Sequence, residues 1–461
     1  MHGPRRTRIL ILGGGFAGLT VAKELDRSLG RDPSIEITLV NRENFFLFTP
    51  MLHEVAVSDL DLTTIVNPVR KLLRHVQFFA GEIDRIDLEQ RNVSVAHGFD
   101  HHQHTLEFDF LILGLGSVTN LYGIPGLAER ALTMKSLRDA MHLRNHLIAQ
   151  LEEADSECCK LKEPLITFMV AGGGFAGVET VAAINDFVRS AVRSYPNLKE
   201  DMLRVVLVHS GPVILPELKE QLGVYAQRKL TRRKLEIRLN TRVESFSGDT
   251  VRLSDGTAIE TNTLVWTTGA FPNPLIESLP CEKERGRLLV TDCLEVQGRP
   301  GIWALGDCAA IPDRRNGGFY PPTAQHALRE AKVVAHNVVA SVRSSENKRF
   351  IFSTIGQLAT IGQRTGVANI WGINFSGFFA WWLWRTIYLS KLPRFEKKLR
   401  AAFDWTLDLI FSKDLVQFLD LRAPIISGPE ADRSSPRPAA KTDFLDMNGT
   451  THQTSKGAVP Q

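Results

Sequence analysis

Six residues occur twice, word for word: Gly13-Gly14-Gly15-Phe16-Ala17-Gly18 and Gly172-Gly173-Gly174-Phe175-Ala176-Gly177. Glycines at this spacing suit one kind of chemistry. Gly13 permits a tight turn, Gly15 lets backbone amides approach a pyrophosphate, and Gly18 lets the next helix pack closely on its strand. That helix then points its positive N-terminal end at the phosphates. The context is right both times. Residues 8–12 form an apolar run suited to a buried parallel strand, and residues 19–29 carry a helical pattern; residues 165–170 and 178–189 repeat the arrangement. A single loop of this kind also arises from packing alone, but two in the same context point to two bound dinucleotides.

Other residues could contribute to such sites. The strand expected at residues 36–40 ends at Asn41-Arg42, where these units usually place an acid on a ribose diol; an amide can donate and accept there. A strand near residue 301 ends in Leu305-Gly306-Asp307, and Pro321-Pro322-Thr323-Ala324-Gln325-His326-Ala327 opens a helix running to about residue 342. An acid at a strand end can hold a flavin's ribityl hydroxyl, and the amides that open a helix face negative charge. The five cysteines are Cys158, Cys159, Cys281, Cys293 and Cys308, with no CxxC pair. That is too few for a disulfide scaffold and fits a reducing compartment. His97, His101, His102 and His104 cluster without helical spacing, a nearby cysteine or a paired acid. Residues 97–104 therefore read as a solvated loop, and no metal site is assigned.

The elements that must position these residues follow from length and pattern. A chain of 461 residues holds two or three domains, and a net charge of +4 is too small to point to nucleic acid. The apolar run after Arg5, Arg6 and Arg8 stops after four residues, so no secretory signal is expected. No run reaches the ~18 apolar residues that suggest a membrane-spanning helix. Residues 109–113 and 263–266 are apolar strands that run into Gly114-Leu115-Gly116 and Thr267-Thr268-Gly269, and residues 136–153 read as an amphipathic helix bridging the two units. Each half thus has an opening glycine loop and a later strand ending at glycine, a duplicated α/β architecture. Residues 45–52 read as core, and residues 76–95 as strand hairpins.

Towards the C-terminus, residues 375–389 concentrate Phe375, Phe378, Phe379, Trp381, Trp382, Trp384 and Tyr388; Lys391, Arg394, Lys397, Lys398 and Arg400 follow. Trp and Tyr favour the membrane interface, and the cations favour anionic headgroups. A second amphipathic helix is expected over residues 400–419, with Phe403, Leu407, Ile410, Phe411, Leu415 and Phe418 on one side. Such helices lie in a membrane surface, form a dimer interface or cap the first unit. From about residue 427 the composition predicts a disordered tail.

In this order the motifs resemble those of the type II NADH dehydrogenases, single-subunit, non-pumping NADH:quinone oxidoreductases of the two-dinucleotide-binding-domain flavoproteins. The resemblance covers about residues 7–422. It rests on both glycine loops, Leu47-Phe48-Thr49-Pro50-Met51-Leu52, Leu113-Gly114-Leu115-Gly116-Ser117, Thr267-Thr268-Gly269, Leu305-Gly306-Asp307 and Pro321-Pro322-Thr323-Ala324-Gln325. The C-terminal run from Gly356-Gln357-Leu358-Ala359 through Trp381-Trp382-Leu383-Trp384-Arg385 to Asp404-Trp405 is similar too.

The resemblance implies an α/β fold of two Rossmann-like, glutathione-reductase-like units plus a C-terminal amphipathic helical membrane-association region. The FAD-binding domain then takes residues 1–120 and 286–370, the NAD(P)H-binding domain 121–285, the membrane-association helices 371–426 and the tail 427–461. FAD is implied at Gly13, Gly15, Gly18, Asn41, Arg42, Thr49 and Pro50, and at Gly116, Gly306, Asp307, Ala324 and Gln325. NAD(P)H is implied at Gly172, Gly174, Gly177, Glu179, His209 and Gly269, and quinone near Thr49-Pro50 and Ala324-Gln325. Glu179, between the nucleotide and quinone sides, is implied to steer a proton or the nicotinamide; with Gln325 and Arg329 it makes the expected catalytic set. The expected location is peripheral, on the cytoplasmic face of the inner membrane, and the expected assembly a homodimer.

Two residues depart from the family pattern. His209 stands after the strand at residues 203–208, where the family usually has Glu. A carboxylate takes both ribose hydroxyls of NADH and repels the 2'-phosphate of NADPH; histidine does neither, so weakened NADH preference, up to dual use, is expected. The family's Ala-Gln-x-Ala-x-Gln reads Ala324-Gln325-His326-Ala327-Leu328-Arg329 here. Arg329 either stabilises an anionic, partly reduced quinone or fills the site through a salt bridge to an acid. With no Cys-x4-Cys or CxxC after either loop, a disulfide relay is excluded, and Cys308 reads as core. Two other functions remain open at this point: a soluble flavin NAD(P)H oxidase or reductase with another acceptor, and a redox-poor nucleotide-sensing flavoprotein.

Overall fold

Short runs of Ile, Leu and Val that shun water on both faces pair in parallel between helices. A computed structural model describes residues 6–156, 163–408, 411 and 413–417; Cys158, Cys159, Ile410, Phe418 and the expected tail lie outside the described residues. Thr7–Leu12 is the middle strand of a five-stranded sheet ordered Ile302–Ala304, Phe110–Leu113, Thr7–Leu12, Ile35–Asn41, Gln77–Ala80. Every pairing in it is parallel. Thr167–Ala171 holds the same place in a second parallel five-stranded sheet, ordered Leu132–Thr133, Thr263–Trp266, Thr167–Ala171, Arg204–Val208, Leu235–Arg238. The registers correspond. Leu12 pairs with Val40 and Leu113 in one sheet, and Ala171 pairs with Val208 and Trp266 in the other.

The helix after each glycine loop is Phe16–Ser28 or Phe175–Ala191. Both begin inside the repeated motif, before residues 19 and 178 of the sequence pattern, because Gly15 and Gly174 already serve as N-caps. Each unit also carries a three-stranded antiparallel sheet: Glu82–Asp87, Asn92–His97 and His102–Glu107 in one, Val243–Ser247, Thr250–Leu253 and Ala258–Glu260 in the other. Residues 97–104 are therefore not a loop. His97 pairs with His102 across a turn in which Gly98 and His101 have positive φ, and Val93 and Val95 anchor the hairpin in the core. The rings of His97, His102 and His104 pack on one another there, and His97 and His104 pack on Phe79. The bridging helix is Leu137–Ser156, opened by a capping box in which the Asp139 N–H donates to Ser136 Oγ (3.1 Å) and the Ser136 N–H to Asp139 Oδ2 (3.0 Å).

The C-terminal region differs from the sequence expectation. Gly356–Thr360, Gly366–Ile370 and Ile373–Gly377 form a three-stranded antiparallel sheet, so Phe375 lies in a strand and not in a helix. A first helix, Phe378–Lys391, and a second, Phe395–Asp408, follow. The second starts before residue 400 and ends before residue 419. Pro393 breaks the run between the two helices. Beyond Asp408 the chain turns back to let Lys413 pair with Asp59.

Candidate functional site

Each glycine loop takes a left-handed turn, at φ +99° for Gly13 and +118° for Gly172, which glycine enters without strain. The helix then packs so closely that a Cβ on Gly18 would lie 1.9 Å from the Gly13 carbonyl oxygen, and one on Gly177 1.8 Å from that of Gly172. The middle positions are open. A Cβ on Gly15 would meet nothing within 4 Å, and one on Gly174 only Glu217 Oε1, at 3.1 Å. Both loops thus leave free space in front of a helix N-terminus, the shape and polarity that a pyrophosphate needs.

The residues at the end of the second strand hold the loops in place. The Gly14 N–H donates to Asn41 Oδ1 (2.8 Å), and Asn41 Nδ2 donates to the Glu43 carbonyl (2.7 Å). Arg42 pairs with Glu43 at 3.4 Å, at the surface. In the second unit the Gly173 N–H donates to His209 Nδ1 (3.2 Å). That bond needs an unprotonated Nδ1, and burial lowers the His209 pKa, so the ring is neutral with its proton on Nε2. Nε2 is buried and has no partner. The near-identical pose of Asn41 and His209 was not visible in the sequence, because it depends on which amide each side chain reaches.

At the far edge of the first sheet, the turn Gly306–Cys308 presents Asp307. Ser117 Oγ donates to Asp307 Oδ2 (2.6 Å) and accepts from Lys135 Nζ (2.7 Å), so a lysine from the second unit's entrance reaches the first unit's acid. The Gly306 N–H donates to Glu330 Oε2 (2.8 Å), and burial pushes the Glu330 carboxyl up to about 7. Cys308 is fully buried, with Sγ 3.3 Å from the carbonyls of Leu113 and Leu305. Burial raises its thiol to about 11, so it is no nucleophile.

Glu179 lies in the helix of the second loop, yet its partners come from the C-terminal region. Its Oε1 accepts from the Thr360 N–H (3.1 Å) and from Trp384 Nε1–H (3.0 Å). Its Oε2 lies 3.9 Å from His53 Nδ1. Burial pushes Glu179 up to about 8, and burial aided by Arg385 drives His53 down to about 3. At neutral pH the acid therefore keeps its proton and the imidazole is uncharged, with a single N–H. A second buried acid follows, Glu54, which accepts from Trp405 Nε1–H (2.9 Å), lies 3.8 Å from Arg385, and is raised to about 7 by burial. A small cleft of about 30 Å³, partly open to solvent, is lined by Glu179, His53, Glu54, Asp186 and Arg385. Sequence reasoning missed His53 and Glu54; the available signal was a His-Glu pair inside the otherwise apolar stretch Leu52–Ala56.

Aromatic rings connect the two loops. Phe16, in the first loop, contacts Phe48 (5.7 Å between centroids), Phe48 contacts Tyr388 (6.0 Å) and Tyr388 contacts Trp384 (4.6 Å), which bonds Glu179. Thr49 and Pro50 follow Phe48 in a short helical turn. Gln325 stands in the first turn of Ala324–Val342, with Nε2 donating to the Gly356 carbonyl (3.2 Å). Arg329 donates to the Gln325 carbonyl (2.7 Å) and lies over the Phe352 ring (4.2 Å). Those contacts replace the carboxylate partner that one sequence reading offered.

Comparison with known proteins agrees with this arrangement. The family description "Pyridine nucleotide-disulphide oxidoreductase" matches residues 7–331, and "NDH2 C-terminal domain" matches residues 355–414. The type II NADH:quinone oxidoreductase Ndh of Mycobacterium tuberculosis is 32% identical over 428 residues, covering 89% of each chain. A probable NADH dehydrogenase of Dictyostelium discoideum is 29% identical over 420 residues, 89% of this chain and 91% of its own. The solved structure of NDH2 from Plasmodium falciparum in complex with NADH has the same fold, at a TM-score of 0.83 and 20% identity over 89% of this chain and 100% of that one. The chain belongs to the type II NADH:quinone oxidoreductase family of pyridine nucleotide oxidoreductases, and it is an NADH dehydrogenase whose cofactors are FAD and a pyridine nucleotide.

Proposed function

We propose that the chain oxidises NADH or NADPH in the second unit and passes two electrons through FAD in the first unit to a quinone, Glu179 supplying a proton at the junction. The position of Glu179 carries this reading: it sits just past the nucleotide loop, bonded by the C-terminal region and joined through rings to the first loop. FAD, when bound, supplies a two-electron store that accepts hydride and yields electrons to an acceptor. The open cradle at Gly15, the helix N-terminus beyond it and the Ser117–Asp307 pair fit FAD; Gly172, Gly174, Gly177 and Gly269 fit the nucleotide. With Oε1 taken by two donors, Glu179 carries its proton on Oε2, facing the cleft side of His53. A quinone taking two electrons also needs protons, which an acid kept neutral at pH 7 can give. Gln325 and Arg329 are assigned with Thr49-Pro50 to the acceptor side, Arg329 held by Phe352 with guanidinium N–H groups to spare for a quinone oxygen. The domain boundaries near residues 120, 285 and 370 belong to the same proposal.

His209 sets nucleotide choice. A neutral ring whose Nδ1 is taken by the Gly173 N–H carries no charge to repel a 2'-phosphate and no carboxylate to select the ribose diol, so both NADH and NADPH are expected to serve.

The acceptor's location follows from the second C-terminal helix, whose amphipathicity is inverted. Lys397, Ala401 and Trp405 are buried against the protein, while Phe395 (73% exposed), Leu399 (57%), Phe403 (63%) and Leu407 (37%) recur every fourth residue facing out. Phe378, Phe379 and Trp382 are exposed on the preceding helix, with Lys391, Lys398 and Arg400 nearby. This face suits the surface of a membrane holding the quinone, the cytoplasmic face of an inner membrane. Among the described residues no helix is long and apolar enough to cross a membrane.

Steady-state turnover with a short-chain quinone, with oxygen as the rival acceptor and with anionic lipid vesicles present, tests the proposal. Turnover that follows quinone, together with sedimentation on vesicles, is expected. Equal turnover with oxygen alone would favour an oxidase, and a dimer that ignores vesicles would assign the exposed face to self-association.

A further inference from the structure

We propose that Tyr122 is a binding residue for the nicotinamide half of the dinucleotide, its ring forming the wall of the nucleotide crevice at Gly269. The inference rests on the reading that the nucleotide lies along the second glycine loop.

The strand order of the second sheet gives the direction. A dinucleotide bound at the C-terminal ends of parallel strands places its pyrophosphate at the loop of the middle strand, here residues 172–177, and its adenosine at the end of the next strand, Arg204–Val208, where His209 stands. The other half must extend over the opposite neighbour, Thr263–Trp266, which continues through Thr267 and Thr268 to Gly269. The chain then enters Ala270–Pro272, which pairs with Ser117–Thr119 from the first unit. This side therefore faces the FAD unit, as the reacting ring requires.

Tyr122 stands there in an unusual state. Its φ is +52°, a left-handed conformation that is a genuine outlier for a bulky side chain, and it is 61% exposed. Three hydrogen bonds hold it in place. The Tyr122 N–H donates to Asn120 Oδ1 (2.8 Å), the Asn120 N–H to the Gly269 carbonyl (3.0 Å), and Trp266 Nε1–H to the Asn120 carbonyl (2.8 Å). The phenol lies on the bare Cα face of Gly269; a Cβ there would come within 2.5 Å of the hydroxyl and 2.6 Å of Cε2. Its ring meets Trp266 edge-on at 6.5 Å. One side of the ring is thus fixed to the protein at Gly269 and Trp266, while the residue stays largely exposed. An aromatic surface held rigid, with little entropy left to lose, suits stacking or edge contact with a planar ligand group. Backbone strain of this kind persists where surrounding structure over-determines it, and here the surroundings are the nucleotide-facing strand end.

The test compares ligands that share the adenosine half but differ in the other. In the FAD-loaded enzyme, NAD+ and ADP are measured as competitive inhibitors against NADH. Tyr122→Ala should raise KM for NADH and Ki for NAD+ about tenfold while leaving Ki for ADP within about twofold. Tyr122→Phe, which keeps the ring, should match the wild type. Tyr122→Gly, which adopts the left-handed conformation without strain, should weaken NAD+ like the alanine variant while keeping a higher Tm than that variant, and it serves if the alanine variant does not fold. Unchanged Ki for NAD+ in the glycine variant, or equal weakening of NAD+ and ADP, would overturn the assignment and leave Tyr122 as a support for the Gly269 turn. Failure of ADP to compete in the wild type would instead remove the underlying placement of the nucleotide.

Discussion

The two glycine-loop units share the order of four of their five strands, the register of the middle three, the loop sequence and even the device that pins the loop, yet they finish differently: the fifth strand is Ile302–Ala304, late in the chain, in one and Leu132–Thr133, ahead of the loop, in the other. In both, the second glycine of the loop, Gly14 or Gly173, donates its N–H to a side chain at the end of the second strand. Asn41 also donates to the Glu43 carbonyl, whereas His209 keeps a buried Nε2 with no partner. The first unit is closed by its own distant segment, through Ser117, Asp307 and Glu330; the second borrows Thr360 and Trp384 from the C-terminal region to hold Glu179. One scaffold thus serves a resident cofactor and a substrate that comes and goes.

The largest effect expected from breaking this symmetry lies at the paired packing glycines. Gly18→Ala and Gly177→Ala each force a Cβ onto a carbonyl oxygen at under 2 Å. The first should yield protein without bound flavin, read as lost visible absorbance after gel filtration. The second should keep the flavin and slow its bleaching by NADH by about two orders of magnitude. Similar losses in both properties for both variants would mean that the units are not functionally separate.

Next in size is pH-dependent stability at Glu179. Its folded carboxyl stays protonated up to about 8 while the unfolded chain ionises at 4.5, so the folded state binds more protons across that window. Stability that this group confers at low pH is lost as pH rises towards about 8, at up to about 1.4 kcal/mol per pH unit. Glu179→Gln should lack that slope when its Tm is followed against the wild type.

A smaller effect distinguishes the two strand-end residues. His209→Glu should move the ratio of kcat/KM for NADH over NADPH towards NADH by about tenfold or more. Asn41→Asp keeps the Oδ1 acceptor for Gly14 and loses only the donation to Glu43, so FAD affinity should change by less than about tenfold. At the outer face, Phe403→Ser should weaken partitioning onto vesicles several-fold without altering NADH oxidation in detergent.

Much of this was legible in the sequence because glycine spacing and apolar runs are local properties. The repeated hexapeptide placed both loops, and the strands around Ile11, Val40 and Leu264 carried their own pattern. What stayed hidden depends on contacts between distant segments. Nothing near Glu179 in sequence announces that Thr360 and Trp384 will bind it, 181 and 205 residues away. The histidines at residues 97–104 looked solvated because their polarity outweighed the weak alternation that pairs His97 with His102. The second C-terminal helix was placed too late because Lys397, Lys398 and Arg400 read as a charged segment ahead of it, whereas Phe395 and Leu399 already share its exposed apolar face with Phe403 and Leu407.

Anaerobic mixing in two steps tests the central claim most directly. Wild-type and Glu179→Gln enzyme are mixed first with NADH, following loss of flavin absorbance, and then with a short-chain quinone, following its return, from pH 6 to about 9. The account predicts rapid bleaching in both proteins, and absorbance returned by quinone about a hundredfold more slowly in the variant at neutral pH. It also predicts that the wild-type return slows as pH passes about 8. Equal return rates at every pH would contradict a proton held at the junction, and a flavin that NADH leaves oxidised would contradict the transfer itself.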